Sequence, residues 1–153
     1  MKNNLIHIYV VISSGALLLT GVAKIFSTLG TADLLKLMDP IFGMPYKYLF
    51  ALAGAVELLV ALACHLNISQ IVRVSLVGWL ALCIAVYRLA FHYLGPSHWC
   101  PCLGTFTENL HIDPQMADFI LDGALAYMII GCLVILANHY YIIFTKKTLL
   151  NQG

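Results

Sequence analysis

Charge is scarce in this sequence. Lys and Arg number 8 and Asp and Glu 7 in 153 residues, so charged residues make up 10% of the chain, against roughly 25% in a soluble domain. A chain this poor in charge cannot cover a water-facing surface. The formal net charge is only +1, which gives no basic stripe for nucleic acid. A P-loop, a Ser-His-Asp set, paired catalytic carboxylates and a glycine-rich dinucleotide turn are all missing. The common chemistries of soluble enzymes therefore have no footing. Nor is there an internal repeat, a low-complexity run or a second domain, and residues 1–153 read as a single membrane domain.

What is present is apolar. Hydrophobic residues make up 61% of the chain, with a mean hydropathy of +0.91. A helix that crosses a bilayer needs about 20 such residues. Four runs qualify, at about 5–26, 48–64, 71–93 and 115–144. The expected fold class is all-α: an integral membrane four-helix bundle, with a short interfacial helix after span one and a Cys-Pro-Cys loop before span four. A signal peptide is the alternative for the first run, because Gly21-Val22-Ala23 offers small residues for cleavage. But the run exceeds the usual core of about 7–15 residues and continues past Lys24 into Ile25-Phe26, which suits a span. Gly15 and Gly21 predict close helix packing, and Lys24 can snorkel to the interface.

Residues 27–46 are mixed. Ser27, Thr28, Gly30 and Thr31 break the first span. Residues 32–38 predict a short amphipathic helix in the interface plane, with Leu34, Leu35, Leu37 and Met38 opposed to Asp33 and Lys36. Asp39-Pro40 ends it, and Gly43-Met44-Pro45 is a second turn signal. Tyr46 and Tyr48 suggest an interfacial aromatic belt. A tight turn over 65–69 joins spans two and three, and Gly95-Pro96 stops span three. Thr105-Phe106-Thr107-Glu108 matches a capping box and predicts a short helix over 106–111. Asp113 and Pro114 read as N-cap and first helical residue of span four. Asp118 and Asp122 are expected in its first turns, favoured by the helix dipole.

Four spans put both termini on one side. Basic residues divide evenly, with Lys2, Arg73, Lys146 and Lys147 on the terminal side and Lys24, Lys36, Lys47 and Arg88 on the other. Lys146-Lys147 is the only basic pair, and residues 95–115 contain no Lys or Arg. The reading is termini cytoplasmic and the loop extracytoplasmic, which in a bacterium is the oxidising periplasm.

That loop holds Ser97-His98-Trp99-Cys100-Pro101-Cys102-Leu103-Gly104. Cysteines at i and i+2 close only a small ring, so a disulfide between them is strained and readily reduced. Pro101 fixes φ and removes an N–H, which can hold the sulfurs at a set separation. His98, when protonated, lowers a thiolate pKa. Cys100 and Cys102 thus read as a redox-exchange pair tuned by His98, making the chain a candidate component of a thiol–disulfide oxidoreductase. Metal is the rival reading: His98, Cys100 and Cys102 are ligands suited to copper(I) or zinc, with His111 or His92 able to complete the set. A plain structural disulfide, or free cysteines in a tight turn, is the third, with the chain then a non-catalytic scaffold whose loop docks a partner. Trp99 reads as an interface anchor. Cys64, Cys83 and Cys132 lie in apolar runs and read as small buried hydrophobes.

Glu57 is the only acid in the middle of any span, and a carboxylate at that depth is usually paired or functional. It lies about 15 Å inside Lys47, and Lys24 about 8 Å inside the end of span one. Lys24 is the expected structural partner and Arg88 the alternative. Proton or quinone handling at Glu57 is the functional reading.

These features resemble a known family. Gly21-Val22-Ala23-Lys24 ending the first helix, Glu57 in the second and four spans overall resemble the DoxX-like membrane proteins. Trp99-Cys100-Pro101-Cys102-Leu103-Gly104 before span four resembles the MauE branch of that group. The resemblance implies a bacterial inner-membrane protein that supports redox maturation of periplasmic proteins beside a thioredoxin-like partner. Cys100 and Cys102 would be the exchanging pair. Nothing in the sequence points to methylamine as the pathway.

Overall fold

A computed structural model describes residues 2–30, 33–94 and 114–150. Among them are four α-helices: α1 (Lys2–Thr28), α2 (Tyr46–His65), α3 (Gln70–Leu94) and α4 (Pro114–Leu150). All four are long and apolar enough to cross a membrane. Each contains one of the predicted apolar runs and extends beyond it at both ends. At 1.5 Å per residue α2 is about 30 Å long, the thickness of a bilayer's hydrocarbon core. The 37 residues of α4 give about 55 Å and overshoot it. The apolar span within α4 ends at Thr145, so Lys146 and Lys147 close the span while the helix runs on to Leu150.

The helices alternate in direction. Tyr9, near the start of α1, faces Cys64 at the end of α2. Arg88, near the end of α3, meets Asp118 near the start of α4. The bundle is thus two hairpins, α1–α2 and α3–α4, joined along α1–α3 and α2–α3. Tyr9 adds a tie from α1 to α4, where its hydroxyl donates to the Met128 carbonyl at 2.6 Å.

Polarity is distributed inside out relative to a soluble protein. Lys24, Asp39 and Glu57 are buried, while Leu19, Phe26, Leu52, Leu59, Trp79, Phe119 and Phe144 are exposed. Only an apolar surrounding stabilises that arrangement. The chain is a multi-pass helical bundle associated with the lipid bilayer.

Packing differs from expectation at several residues. A β-carbon added at Gly21 would press on the α2 backbone at Gly54, so Gly21 does set a close crossing. Gly15 has nothing within 4 Å of such a carbon and sets none. Cys64 and Cys132 are buried, but Cys83 is exposed on the outer face of α3. The Cys132 sulfur takes the space beside Gly78, which explains one small residue on α3. Tyr46 is not a belt residue. It is buried against Phe50, with ring centroids 5.8 Å apart, whereas Tyr48 is 65% exposed.

The linker between α1 and α2 is tighter than a surface helix. The predicted amphipathic helix is a four-residue 3-10 turn, Asp33–Lys36. Its Leu35 is buried in a cluster with Tyr46, Phe50 and Phe91. The chain then folds back on itself. Asp39 N–H donates to the Met44 carbonyl at 2.9 Å, and Tyr46 N–H to the Leu37 carbonyl at 3.0 Å. Gly43 closes this turn at φ 64°, a left-handed conformation that glycine adopts without strain. Ser69 starts α3 by offering its hydroxyl oxygen to the Val72 N–H at 3.4 Å.

Candidate functional site

Three polar clusters stand out among the described residues, and neighbouring residues of α3, Tyr87 and Arg88, belong to two of them. The deepest joins α1 to α2. Lys24 Nζ donates to Glu57 Oε1, and the two side chains are 10% and 1% exposed. Glu57 sits eleven residues into α2 and eight from its end, so it lies near mid-bilayer. Helical side chains lean toward their own N-terminus. In an antiparallel pair that lean brings Lys24 and Glu57 toward each other from opposite directions. Glu57 Oε2 is buried and has no hydrogen-bond partner among the described residues.

The second cluster fixes the α1–α2 linker to α3. Asp39 is buried, and its Oδ1 accepts the Ile41 and Phe42 N–H groups at 2.9 and 2.7 Å. Its Oδ2 accepts the Tyr87 hydroxyl at 2.6 Å. The Phe42 ring stacks on Tyr87, with centroids 6.0 Å apart. Tyr87 sits one turn before Phe91 and packs, partly buried, against the same aromatic cluster.

The third cluster joins α3 to α4. Arg88 Nη2 lies 3.2 Å from Asp118 Oδ1 and 3.0 Å from Asp122 Oδ1. Asp118 and Asp122 therefore sit one to two turns into α4, paired across the hairpin. Their place is set by Arg88, not by the helix dipole, which acts only on the first turn. This also corrects the alternative in which Arg88 pairs with Glu57. Arg88 borders a small cavity of about 50 Å³ with Lys24 and Glu57, but its guanidinium is held by the two aspartates.

Two larger cavities open beside these clusters. One, of about 440 Å³, runs between α3 and α4 and is lined by Arg88, His92, Asp118 and Asp122 together with apolar side chains. The other, of about 250 Å³, lies between α2 and α3 over the Lys24–Glu57 pair.

Of the site residues predicted from sequence, Lys24 and Glu57 are brought together. Cys100, Cys102, His98 and His111 lie outside the described residues, as do Trp99, the capping box at 105–108 and Asp113. Among the described residues no three His, Cys, Asp or Glu side chains gather to hold a metal ion. The sequence reading passed over Asp39 with Tyr87, and it missed the pairing of Arg88 with Asp118 and Asp122. The second had a signal: an arginine six residues before the end of α3 faces acids four residues apart near the start of α4. Antiparallel neighbours place those positions at one depth.

Comparisons with protein-family models, curated proteins and solved structures each found no match.

Proposed function

We propose that this membrane protein supports thiol–disulfide exchange on extracytoplasmic proteins through Cys100 and Cys102. The observation that carries the reading is the sequence joining α3 to α4, a Cys-Pro-Cys with His98 beside it and no Lys or Arg nearby. It is tethered to one end of the bundle through Leu94 and Pro114. Cys100 is six residues from Leu94, hence within about 22 Å of it in any conformation. The resemblance of this stretch to the MauE branch of DoxX-like proteins supports the same reading and suggests a thioredoxin-like partner. So does the charge pattern, which favours cytoplasmic termini and a periplasmic loop in a bacterial inner membrane.

The chemistry balances without a further reagent. A thiolate of Cys100 or Cys102 attacks a partner disulfide, forming a mixed disulfide and releasing one partner thiolate. The second cysteine thiolate attacks the mixed disulfide and releases the other. The partner leaves as a dithiol, having gained two electrons and the two protons given up by the pair, which remains as a disulfide. Run backwards, the same steps oxidise a partner dithiol, and the relative potentials set the direction. His98, as imidazolium, stabilises the attacking thiolate.

The test is thiol trapping in intact cells, followed by mass-shifting alkylation before and after reduction. The expected result is a Cys100–Cys102 pair found in both redox states, with Cys100→Ser or Cys102→Ser trapping a mixed disulfide. Thiols that stay reduced under all conditions, with copper or zinc bound after purification, would replace this reading with metal delivery.

A further inference from the structure

We propose that the cavity of about 250 Å³ between α2 and α3 binds a single-ring quinone from the bilayer, its head group held by Lys24 and Glu57. The inference does not rest on the cysteine pair. The cavity's inner wall is the Lys24–Glu57 pair, and its sides include Phe42, Phe50, Trp79 and Tyr87. Its mouth faces lipid, since Leu52 and Trp79 at the rim are 61% and 59% exposed.

Hydrogen-bond accounting points to the occupant. An ammonium carries three N–H donors, and Lys24 gives one, to Glu57 Oε1, among the described residues. Glu57 Oε2 accepts none. The pair thus keeps donors and one acceptor oxygen unused among the described residues, and unsatisfied polar groups in hydrocarbon are costly. A ligand that relieves Lys24 must bring an acceptor oxygen, and one that also relieves Glu57 must bring a donor. It must also be uncharged, because the pair is already neutral. A phospholipid fails on depth, since its head group stays at the interface and Glu57 is about 16 Å along α2 from its start. A quinone enters that depth and has a flat ring suited to aromatic walls; oxidised, its carbonyl accepts from Lys24, and reduced, its hydroxyl also donates to Glu57. The volume admits one ring and the root of its tail, with the remainder leaving past Leu52 and Trp79. Glu57 Oε2 is covered by protein, so a rotation of the carboxylate brings it to the ligand.

Trp79 is a built-in reporter. The chain has 2 tryptophans, so Trp99→Phe leaves Trp79 alone. The full chain is placed in lipid nanodiscs and titrated with a decyl-tailed ubiquinone analogue while Trp79 fluorescence is followed, with decanol as the control amphiphile. The expected result is saturable quenching that decanol does not displace. Ala53→Phe, which pushes a ring into the cavity and spares the ion pair, should weaken it about tenfold or more, equivalent to about 1.4 kcal/mol. The volume-matched double variant Lys24→Met, Glu57→Met should do the same. Quenching that rises linearly without saturating would overturn the proposal, as would an unchanged curve in a folded Ala53→Phe protein or full displacement by decanol. If neither variant folds, the titration of the otherwise unaltered chain still decides, because a merely partitioned quencher does not saturate.

Discussion

Gly21 and Gly54 meet backbone to backbone where α1 crosses α2. A β-carbon on Gly21 would lie 3.1 Å from the Gly54 carbonyl oxygen, and one on Gly54 would lie 2.9 Å from the Gly21 carbonyl oxygen. Lys24 and Glu57 each stand three residues further along their own helices. The close crossing is what lets those two side chains reach each other, since a wider one would leave both charges stranded in hydrocarbon.

Gly54→Leu should therefore do more than overpack. Forcing side-chain atoms into a packed contact costs about 1–3 kcal/mol, and here it also pulls the ion pair apart. The expected outcome is a loss larger than for Gly15→Leu, which meets open space. Unfolding titrations of both variants in detergent micelles would check it. Equal losses would mean that the crossing is not held at Gly21 and Gly54.

A second expectation concerns the pair itself. Removing one partner of a buried ion pair leaves the other uncompensated, at about 3–5 kcal/mol, whereas replacing both with apolar side chains is often close to neutral. Lys24→Met and Glu57→Met should each destabilise strongly, and the double variant should recover most of the loss. A double-mutant cycle measures the coupling, and additive losses would show that the two groups do not depend on each other.

The two aspartates facing Arg88 should differ. The Asp118 side chain is 21% exposed and the Asp122 side chain 66%. An exposed ion pair is worth about 1 kcal/mol or less and is screened by salt. Asp122→Asn should therefore cost under about 1 kcal/mol, and Asp118→Asn should cost more. The measure is the unfolding midpoint of each variant at low and high salt. The Asp122 difference should vanish at high salt, and the Asp118 difference should persist in part.

Much of this was legible in the sequence because a bilayer leaves few choices. Four apolar runs must become helices, since only intrahelical bonds satisfy the backbone there, and a lone glutamate at mid-depth must find a cation. Helical rise made Lys24 the expected cation, with Arg88 the alternative that the structure removes. The α1–α2 linker was not legible in the same way. The apolar spacing of Leu34, Leu35, Leu37 and Met38 suits an amphipathic helix. But Asp39 binds two backbone N–H groups and the Tyr87 hydroxyl, and that long-range contact decides the local fold. Cys83 misled for a similar reason. An apolar residue in a span faces either lipid or the bundle, and periodicity is weak when every face is apolar.

Tolerance to bulk separates those two environments. Cys83→Leu should change stability by no more than about 0.5 kcal/mol, because Cys83 is exposed. Cys132→Leu should cost about 1–3 kcal/mol, because the Cys132 sulfur already fills the space beside Gly78. Unfolding midpoints of both variants in detergent micelles would show the order, and equal losses would contradict the packing of Cys132 against Gly78.

The Tyr87–Asp39 bond gives the last expectation. Tyr87→Phe keeps the ring that stacks on Phe42 but removes the donor to Asp39 Oδ2, and leaving a buried oxygen unsatisfied costs about 1–3 kcal/mol. Asp39→Ala should cost more, because it also strips the partner from the Ile41 and Phe42 N–H groups. The effect should be local. Linker and α3 are joined through this bond, so hydrogen exchange at Ile41 and Phe42 should accelerate in Tyr87→Phe while the amides of α4 stay protected. Uniform acceleration across all four helices would instead mean that the linker is part of one cooperative unit with the bundle. The bond would then stabilise the whole fold rather than anchor the turn.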